Sequence, residues 1–290
     1  MAVVISLINM KGGVGKTTLS IGLADCLSNM NQKVLIIDAD PQFNATQALL
    51  DAYKPQSSDD QESNFYTENI LSQRKTIYKL FQGVRNITEI YTSPSSSDVI
   101  VNLKKNLDIL CGDLNLVLAN SFSDYGYVKR IKNFIDDNQL KDIYDYIIID
   151  CPPTITIYTN SALMASDYYL IPNRIDRYSI VGINSLQQAV DKLIHDERIN
   201  LQCLGIIYTM VSPSSVKQER LKISFESTAV VNNLYIFSSK TTIQNNIQNG
   251  ISGALPTKYK QASNDIEAIA LELKDRINSL QKKQNENEVL

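Results

Sequence analysis

Eight consecutive residues concentrate the chemistry of this chain: Lys11-Gly12-Gly13-Val14-Gly15-Lys16-Thr17-Thr18. They follow the apolar run Ala2–Ile8 and precede the amphipathic run Leu19–Met30, so a strand, a glycine loop and a helix are expected in that order. Such a loop turns backbone N–H groups inward on a polyphosphate, and the helix N-terminus adds partial positive charge. Lys16 is placed to reach the β- and γ-phosphates, and the Thr17 hydroxyl to hold Mg²⁺. The strict pattern G-x-x-x-x-G-K-S/T puts its first glycine at position 10, where this chain has Met10. In exchange the loop carries a second lysine, Lys11, at its entrance. A dinucleotide loop needs G-x-G-x-x-G, which is absent from the segment, and has no use for two lysines.

Two carboxylate sites accompany the loop. The run Val34–Asp38 leads into Asp38-Ala39-Asp40-Pro41-Gln42. Residues two apart on a continuing strand point the same way, so both carboxylates are expected beside the phosphate loop, on the next strand over. Asp38 is placed to support Mg²⁺ through water, and Asp40 to orient an attacking water. Further on, Tyr146-Ile147-Ile148-Ile149-Asp150 is an apolar strand ending in one aspartate, the pattern of a Mg²⁺-binding carboxylate. Pro152-Pro153 stiffens the turn after it, as suits a γ-phosphate switch.

The elements that must position these residues alternate along the 290-residue chain. Strands are expected at Val3–Asn9, Val34–Asp38, Leu107–Cys111, Tyr146–Asp150, Tyr168–Pro172, Leu204–Tyr208 and, more weakly, Asn233–Phe237. Helical periodicity falls at Thr17–Met30, Tyr127–Asp137, Ser179–Ile194, Val216–Val231 and Ser263–Gln281. Near-continuous Val/Ile/Leu runs fit strands buried on both faces, and the alternation predicts a doubly wound α/β fold with a mostly parallel sheet. One domain over 1–281 is expected, with a polar insertion at about 51–66, a second loop at 92–99 and a disordered tail at 282–290.

Bulk composition removes several function classes. Hydrophobic residues make up 43% and charged residues 20% of the chain, and no apolar run is long enough to span a membrane. A cytoplasmic protein without a membrane partner is expected. Cys26, Cys111, Cys151 and Cys203 lie far apart with no C-x-x-C, so they read as reduced thiols. His195 is the single histidine, which disfavours an imidazole zinc site. The net charge of −3 means that any nucleic-acid contact must come from a local patch.

Together the motifs resemble the ParA/MinD group of deviant Walker A ATPases, and within it the Soj-like ParA partition ATPases. The matching residues are Lys11–Thr18, Asp38–Thr46 and Asp145–Pro153, with further matches at Asn160–Pro172, Leu204–Met210 and a closing helix. The resemblance implies ATP and Mg²⁺ as ligands and a slow, partner-stimulated ATPase. It implies that Lys11 reaches across an ATP-dependent homodimer to the phosphates of the other subunit, and that the position of Asp40 activates water. It implies nonspecific DNA binding by the dimer, nucleoid association when ATP is bound, and a ParB-type centromere-binding partner. Met210 and Val211–Pro213 match a segment near the adenine. No helix-turn-helix segment precedes the first strand, as in the shorter partition ATPases.

The chain departs from the family where T-x-I-P-R-N supplies an arginine for DNA: here the run is Thr241-Thr242-Ile243-Gln244-Asn245-Asn246. Nearby cations are Lys217, Arg220, Lys222, Lys240, Lys258 and Lys260, which read equally as a DNA-binding set or as solvated charges. A MinD-like membrane positioner needs a basic amphipathic C-terminal helix, and the polar, acidic end of this chain does not supply one. A positioner of some other cargo would use the same machinery. An iron–sulfur carrier needs paired cluster cysteines, which Cys111 and Cys151 do not match. A scaffold that binds ATP without turnover has no need of Lys11, Lys16, Thr17, Asp40 and Asp150 together.

Overall fold

The computed structural model describes residues 1–54, 65–82, 91–121, 125–176, 179–212, 216–248 and 253–288. Most of the polar insertion and Pro213 lie outside the described residues.

Seven strands form one sheet: β1 Val3–Leu7, β2 Val34–Asp38, β3 Ile100–Lys104, β4 Leu107–Leu110, β5 Tyr146–Asp150, β6 Tyr168–Asn173 and β7 Gln202–Tyr208. Their order is β3-β4-β2-β5-β1-β6-β7. All pairings are parallel except β3 with β4. The expected neighbourhood of β1 and β2 is corrected here, because β5 lies between them, with Leu7 and Asp38 both opposite Asp150. The chain leaves β1 for one half of the sheet and returns through β5 to build the other half. That reversal opens the crevice in which doubly wound sheets bind ligands.

The principal helices are α1 Lys16–Asn29, α2 Asn44–Tyr53, α3 Arg130–Asp137, α4 Ile157–Ala165, α5 Ser179–Glu197, α6 Val216–Glu226 and α7 Lys260–Glu288. Each central strand feeds two cores. Ile147 and Ile149 pack with α3, α4 and α5, while Tyr146 and Ile148 pack with α1, α2 and α7. Helix α1 is therefore buried nearly all round rather than amphipathic, with Leu19, Ile21, Leu23, Ala24 and Leu27 all out of solvent. Helix α7 covers it with Ile266, Ile269, Leu273 and Ile277, spaced for one helical face. Each such side chain contributes about 1.5–3 kcal/mol on burial. No described helix is long and apolar enough to cross a membrane.

Other differences from the sequence expectation have local causes. Strand β3 is an antiparallel edge strand, closed onto β4 by a turn in which Asn106 takes φ 64°. The segment 92–99 ends in a helical turn at Ser96–Val99. Residues 233–237 form no strand and pair with the sheet through an isolated bridge of Ile236 to Ile206. Helix α7 continues to Glu288, through most of the tail expected to be disordered.

Two carboxylates of α7 clamp the chain that follows β7. Asp265 accepts from the Thr242 N–H and hydroxyl at 2.8 and 2.7 Å. Two turns on, Glu272 accepts from the Ser238 and Ser239 N–H groups at 2.8 Å and from the Tyr235 hydroxyl at 2.9 Å. Burial pushes the Glu272 carboxyl up, but these donors outweigh it and hold it down to about 2. A folded value below the unfolded one gives stability that is present above about pH 4.5 and lost as pH falls toward 2. Glu272→Gln is expected to lower the thermal midpoint at pH 7 and to lose this acid dependence. Circular-dichroism melts should show the gap to wild type closing between pH 4.5 and 2; a gap independent of pH would refute the clamp.

Candidate active site

The site sits at the carboxyl ends of β1, β5 and β2. Gly13 and Gly15 adopt φ 69° and 81°, a left-handed backbone that L side chains rarely take, so the loop can curl back over α1. Helix α1 then starts at Lys16 with no side-chain cap on its N-terminus. Its first-turn N–H groups face the loop without a side-chain acceptor, the condition that suits a phosphate. Lys16 is 6% exposed and donates to the Lys11 carbonyl at 3.1 Å, so its ammonium lies across the mouth of the loop. Burial lowers its pKa, and the Asp150 and Asp40 charges oppose that.

Two buttresses hold the loop in place. Asn9 accepts from the Lys11 N–H at 2.9 Å and donates to the Pro172 carbonyl at 2.9 Å, joining the loop entrance to the end of β6. On the other side Thr209, at the end of β7, donates to the Val14 carbonyl at 2.7 Å.

Asp150 is fully buried and accepts from the Thr17 hydroxyl at one oxygen and the Ser20 hydroxyl at the other, both at 2.8 Å. Thr17 and Asp150, expected as Mg²⁺ ligands, are thus in direct contact. Asp38 stands opposite Asp150 in the β2–β5 register and is also fully buried. Burial raises both carboxyls above their ordinary range, and the charge of Asp150 pushes Asp38 further. The Asp150 and Asp38 carboxylates and the Thr17 hydroxyl are oxygen donors of the kind a divalent cation takes, and a cation there would offset the charge of the two buried acids.

Asp38 also has a task that its sequence position did not reveal. Its Oδ2 accepts from the Thr46 N–H at 2.8 Å and the Thr46 hydroxyl at 2.7 Å. The same hydroxyl accepts from the Gly112 N–H at 2.8 Å. A Cβ on Gly112 would lie 2.7 Å from Phe43 Cβ and 3.0 Å from the Asp38 carboxyl, so only glycine fits there. Asp38 therefore ties the ends of β2 and β4 to the start of α2. Strand β2 stops at Asp38, and Asp40 lies in the turn beyond it, 9% exposed, accepting from the Gln42 N–H at 2.9 Å.

Beside the loop a pocket opens between Gly15, Thr18 and Leu19 on one side and Met210, Thr241, Thr242, Gln244, Ile247 and Pro256 on the other. Met210 is part of its lining, and Pro213 falls outside the described residues. The stretch that lacks the family's arginine contributes Thr241, Thr242 and Gln244 to this pocket. Among the basic candidates Arg220, Lys240, Lys258 and Lys260 are exposed. Lys222 lies 3.9 Å from both Glu219 and Glu226 of its own helix, and the side chain of Lys217 is outside the described residues.

Residues missed at the sequence level are Asn9, Ser20, Thr46, Gly112 and Thr209. Ser20 was legible, because it stands one turn after Thr17 on the same face of α1. Asn9, Gly112 and Thr209 reach the site from just past the ends of β1, β4 and β7, whose order in the sheet is not written in the sequence, and Thr46 reaches it from the start of α2.

A family model described as an AAA domain matches residues 2–203. The sporulation initiation inhibitor protein Soj of Bacillus subtilis is 29% identical over 216 residues, covering 73% of this chain and 74% of that protein. The chromosome partitioning protein ParA of Myxococcus xanthus is 30% identical over 207 residues, covering 71% of this chain and 64% of that one. Among solved structures, the Cyanothece McdA–ATP complex aligns with a TM-score of 0.73 at 21% identity, covering 96% of each chain, a likeness of fold. With the glycine loop, the entrance lysine and the paired buried carboxylates now in one crevice, the chain belongs to this AAA-domain family, in its ParA/MinD group of P-loop ATPases.

Proposed function

We propose that this protein is a partition-type ATPase that hydrolyses ATP with Mg²⁺, dimerises when ATP is bound, and in that state binds DNA without sequence preference. The observation that carries the reading is the juxtaposition of two lysines with the Thr17–Asp150 pair at one helix N-terminus. Lys16 swings from the Lys11 carbonyl onto phosphate oxygens. Thr17 and Asp150 would hold Mg²⁺, which would supply positive charge against the phosphate oxygens. Asp40 orients the water that attacks the γ-phosphorus; ADP leaves and inorganic phosphate forms. The pocket beside Met210 and Thr241 accommodates the nucleoside.

Lys11 fits a different task. Its side chain lies outside the loop and is 30% exposed, where a second subunit can meet it. A cation supplied in trans to the transferring phosphoryl group acts as an arginine finger does. The name of the chromosome partitioning protein ParA supports a partition role, and a ParB-type partner that stimulates turnover completes this reading. Exposed Arg220, Lys240, Lys258 and Lys260 are the DNA candidates this reading keeps. A related ATPase that positions another cargo would show the same nucleotide cycle without the DNA step.

Asp40→Ala is expected to reduce phosphate release by about 100-fold or more while ATP still drives dimerisation. Turnover at the wild-type rate would remove Asp40 from the mechanism. Lys11→Ala is expected to keep ATP binding in part and to lose ATP-dependent dimerisation in light scattering. In gel shifts on random-sequence duplex, ATP-dependent binding is expected to weaken steeply as salt rises, since phosphate contacts release counter-ions. Absent or salt-insensitive binding would leave the other-cargo reading in its place.

A further inference from the structure

The Lys11 ammonium is not idle in this structure: it forms an ion pair with Asp176, in the turn between β6 and α5. We infer that Asp176 is the resting counter-ion of Lys11, a positioning residue that holds the trans-acting ammonium on its own subunit until the phosphates of a second copy displace it. This rests on the reading of Lys11 given above.

Both halves of the pair are pinned through the main chain, so exchange is confined to the side chains. The Lys11 N–H donates to Asn9, a bond that holds the Lys11 main chain after Lys16 has left the Lys11 carbonyl for phosphate. Across the gap, the Asp176 N–H donates to the Ser179 hydroxyl at 3.2 Å, and that hydroxyl donates to the Arg174 carbonyl at 2.7 Å. Asn9 bridges the two segments through the Pro172 carbonyl. The pair is thus built into the same buttress that shapes the loop entrance.

Its exposure sets its strength. The Lys11 and Asp176 side chains are 30% and 33% exposed, so the pair is screened and reachable from outside. A deeply buried pair would not let go; a fully solvated one would not hold. The Arg174 charge also bears on Lys11, adding repulsion that favours departure. A triphosphate with its charge partly screened by Mg²⁺ still offers several anionic oxygens against the one carboxylate of Asp176. In this proposal the ammonium leaves the Asp176 carboxylate for those oxygens, so each subunit breaks this pair as it completes its partner's site.

The test compares wild type with Asp176→Asn, Asp176→Glu, Lys11→Ala and the Asp176→Asn/Lys11→Ala double variant, using ATP and Mg²⁺. Asp176→Asn is expected to lower the protein concentration for half-dimerisation by about two- to twentyfold, because two exposed pairs no longer compete. ATP affinity measured below the dimerisation range is expected to stay unchanged, and Asp176→Glu to restore wild-type dimerisation. In urea melts of the apo-monomer, Asp176→Asn is expected to shift the midpoint in wild type but not in the Lys11→Ala background; an equal shift in both marks a purely structural turn residue and overturns the inference. Unchanged or weaker dimerisation of Asp176→Asn, with Lys11→Ala still defective, overturns the counter-ion role alone. Normal dimerisation of Lys11→Ala overturns the trans reading and this inference with it.

Discussion

Asp150 is the fixed point of this structure. Its two oxygens take the Thr17 and Ser20 hydroxyls and so lock the first turn of α1 onto the end of the central strand β5. A carboxylate with 0% exposure is tolerated only when its charge is met by donors or a cation. Here the donors come from the helix that carries the phosphate loop. The same contact therefore sets the direction of α1, the curl of the loop and the place where a cation would sit. Moving α1 by a fraction of a turn would strand the carboxylate and open the loop together.

The neighbouring Asp38 extends this arrangement outward. Through Thr46 it holds α2, and through the Thr46 hydroxyl it holds Gly112 at the end of β4. The Phe43 and Tyr66 rings stack at 5.0 Å on the outside of this junction, and the Tyr66 hydroxyl donates to the Gly112 carbonyl at 3.0 Å. Asp40 sits in the short turn between these anchors. A turn whose two ends are both tied down holds its side chains to a narrow range of positions, and small misplacements of a reacting group are expensive in rate. Asp38 thus supports the turn that carries Asp40.

Much of this was legible in the residues and some of it could not be. The parallel strands announced themselves because strands buried on both faces must be apolar throughout, as Ile147, Ile148 and Ile149 are. Lys16, Thr17 and Asp150 followed from pattern, and they do meet. Strand β3 was hidden because Asn102 and Lys104 break its apolar run, although Asn106 is suited to the left-handed turn that closes the hairpin. Helix α4 was hidden by shortness and by continuous burial without a polar face, and α2, which exposes Asn44, Gln47 and Asp51, by shortness alone. The insertion of β5 between β1 and β2 is a property of the sheet, not of any segment, so the facing of Asp38 and Asp150 could not be read along the chain. Asp176 left no local signal at all: it is one acid in an ordinary turn until β6 brings it beside the loop entrance.

The C-terminal third then explains why the loop is held from both flanks. On the β6 side, Asn9 fixes the loop to Pro172, with Lys11 turned outward. On the β7 side, Thr209 fixes Val14, and the chain beyond it is clamped by Asp265 and Glu272 of α7. The first flank carries the part-exposed Lys11–Asp176 pair; the second forms a wall of the pocket beside Gly15. In that wall Met210 and Thr241 are tied by the 3.1 Å bond of the Met210 N–H to the Thr241 hydroxyl. The two flanks are themselves joined, because the Thr209 N–H donates to the Asn173 carbonyl at 3.0 Å, one residue beyond the Pro172 that Asn9 holds. A shift of the pocket wall therefore has a hydrogen-bonded route to the loop entrance, where the Lys11 ammonium is held by electrostatics against Asp176.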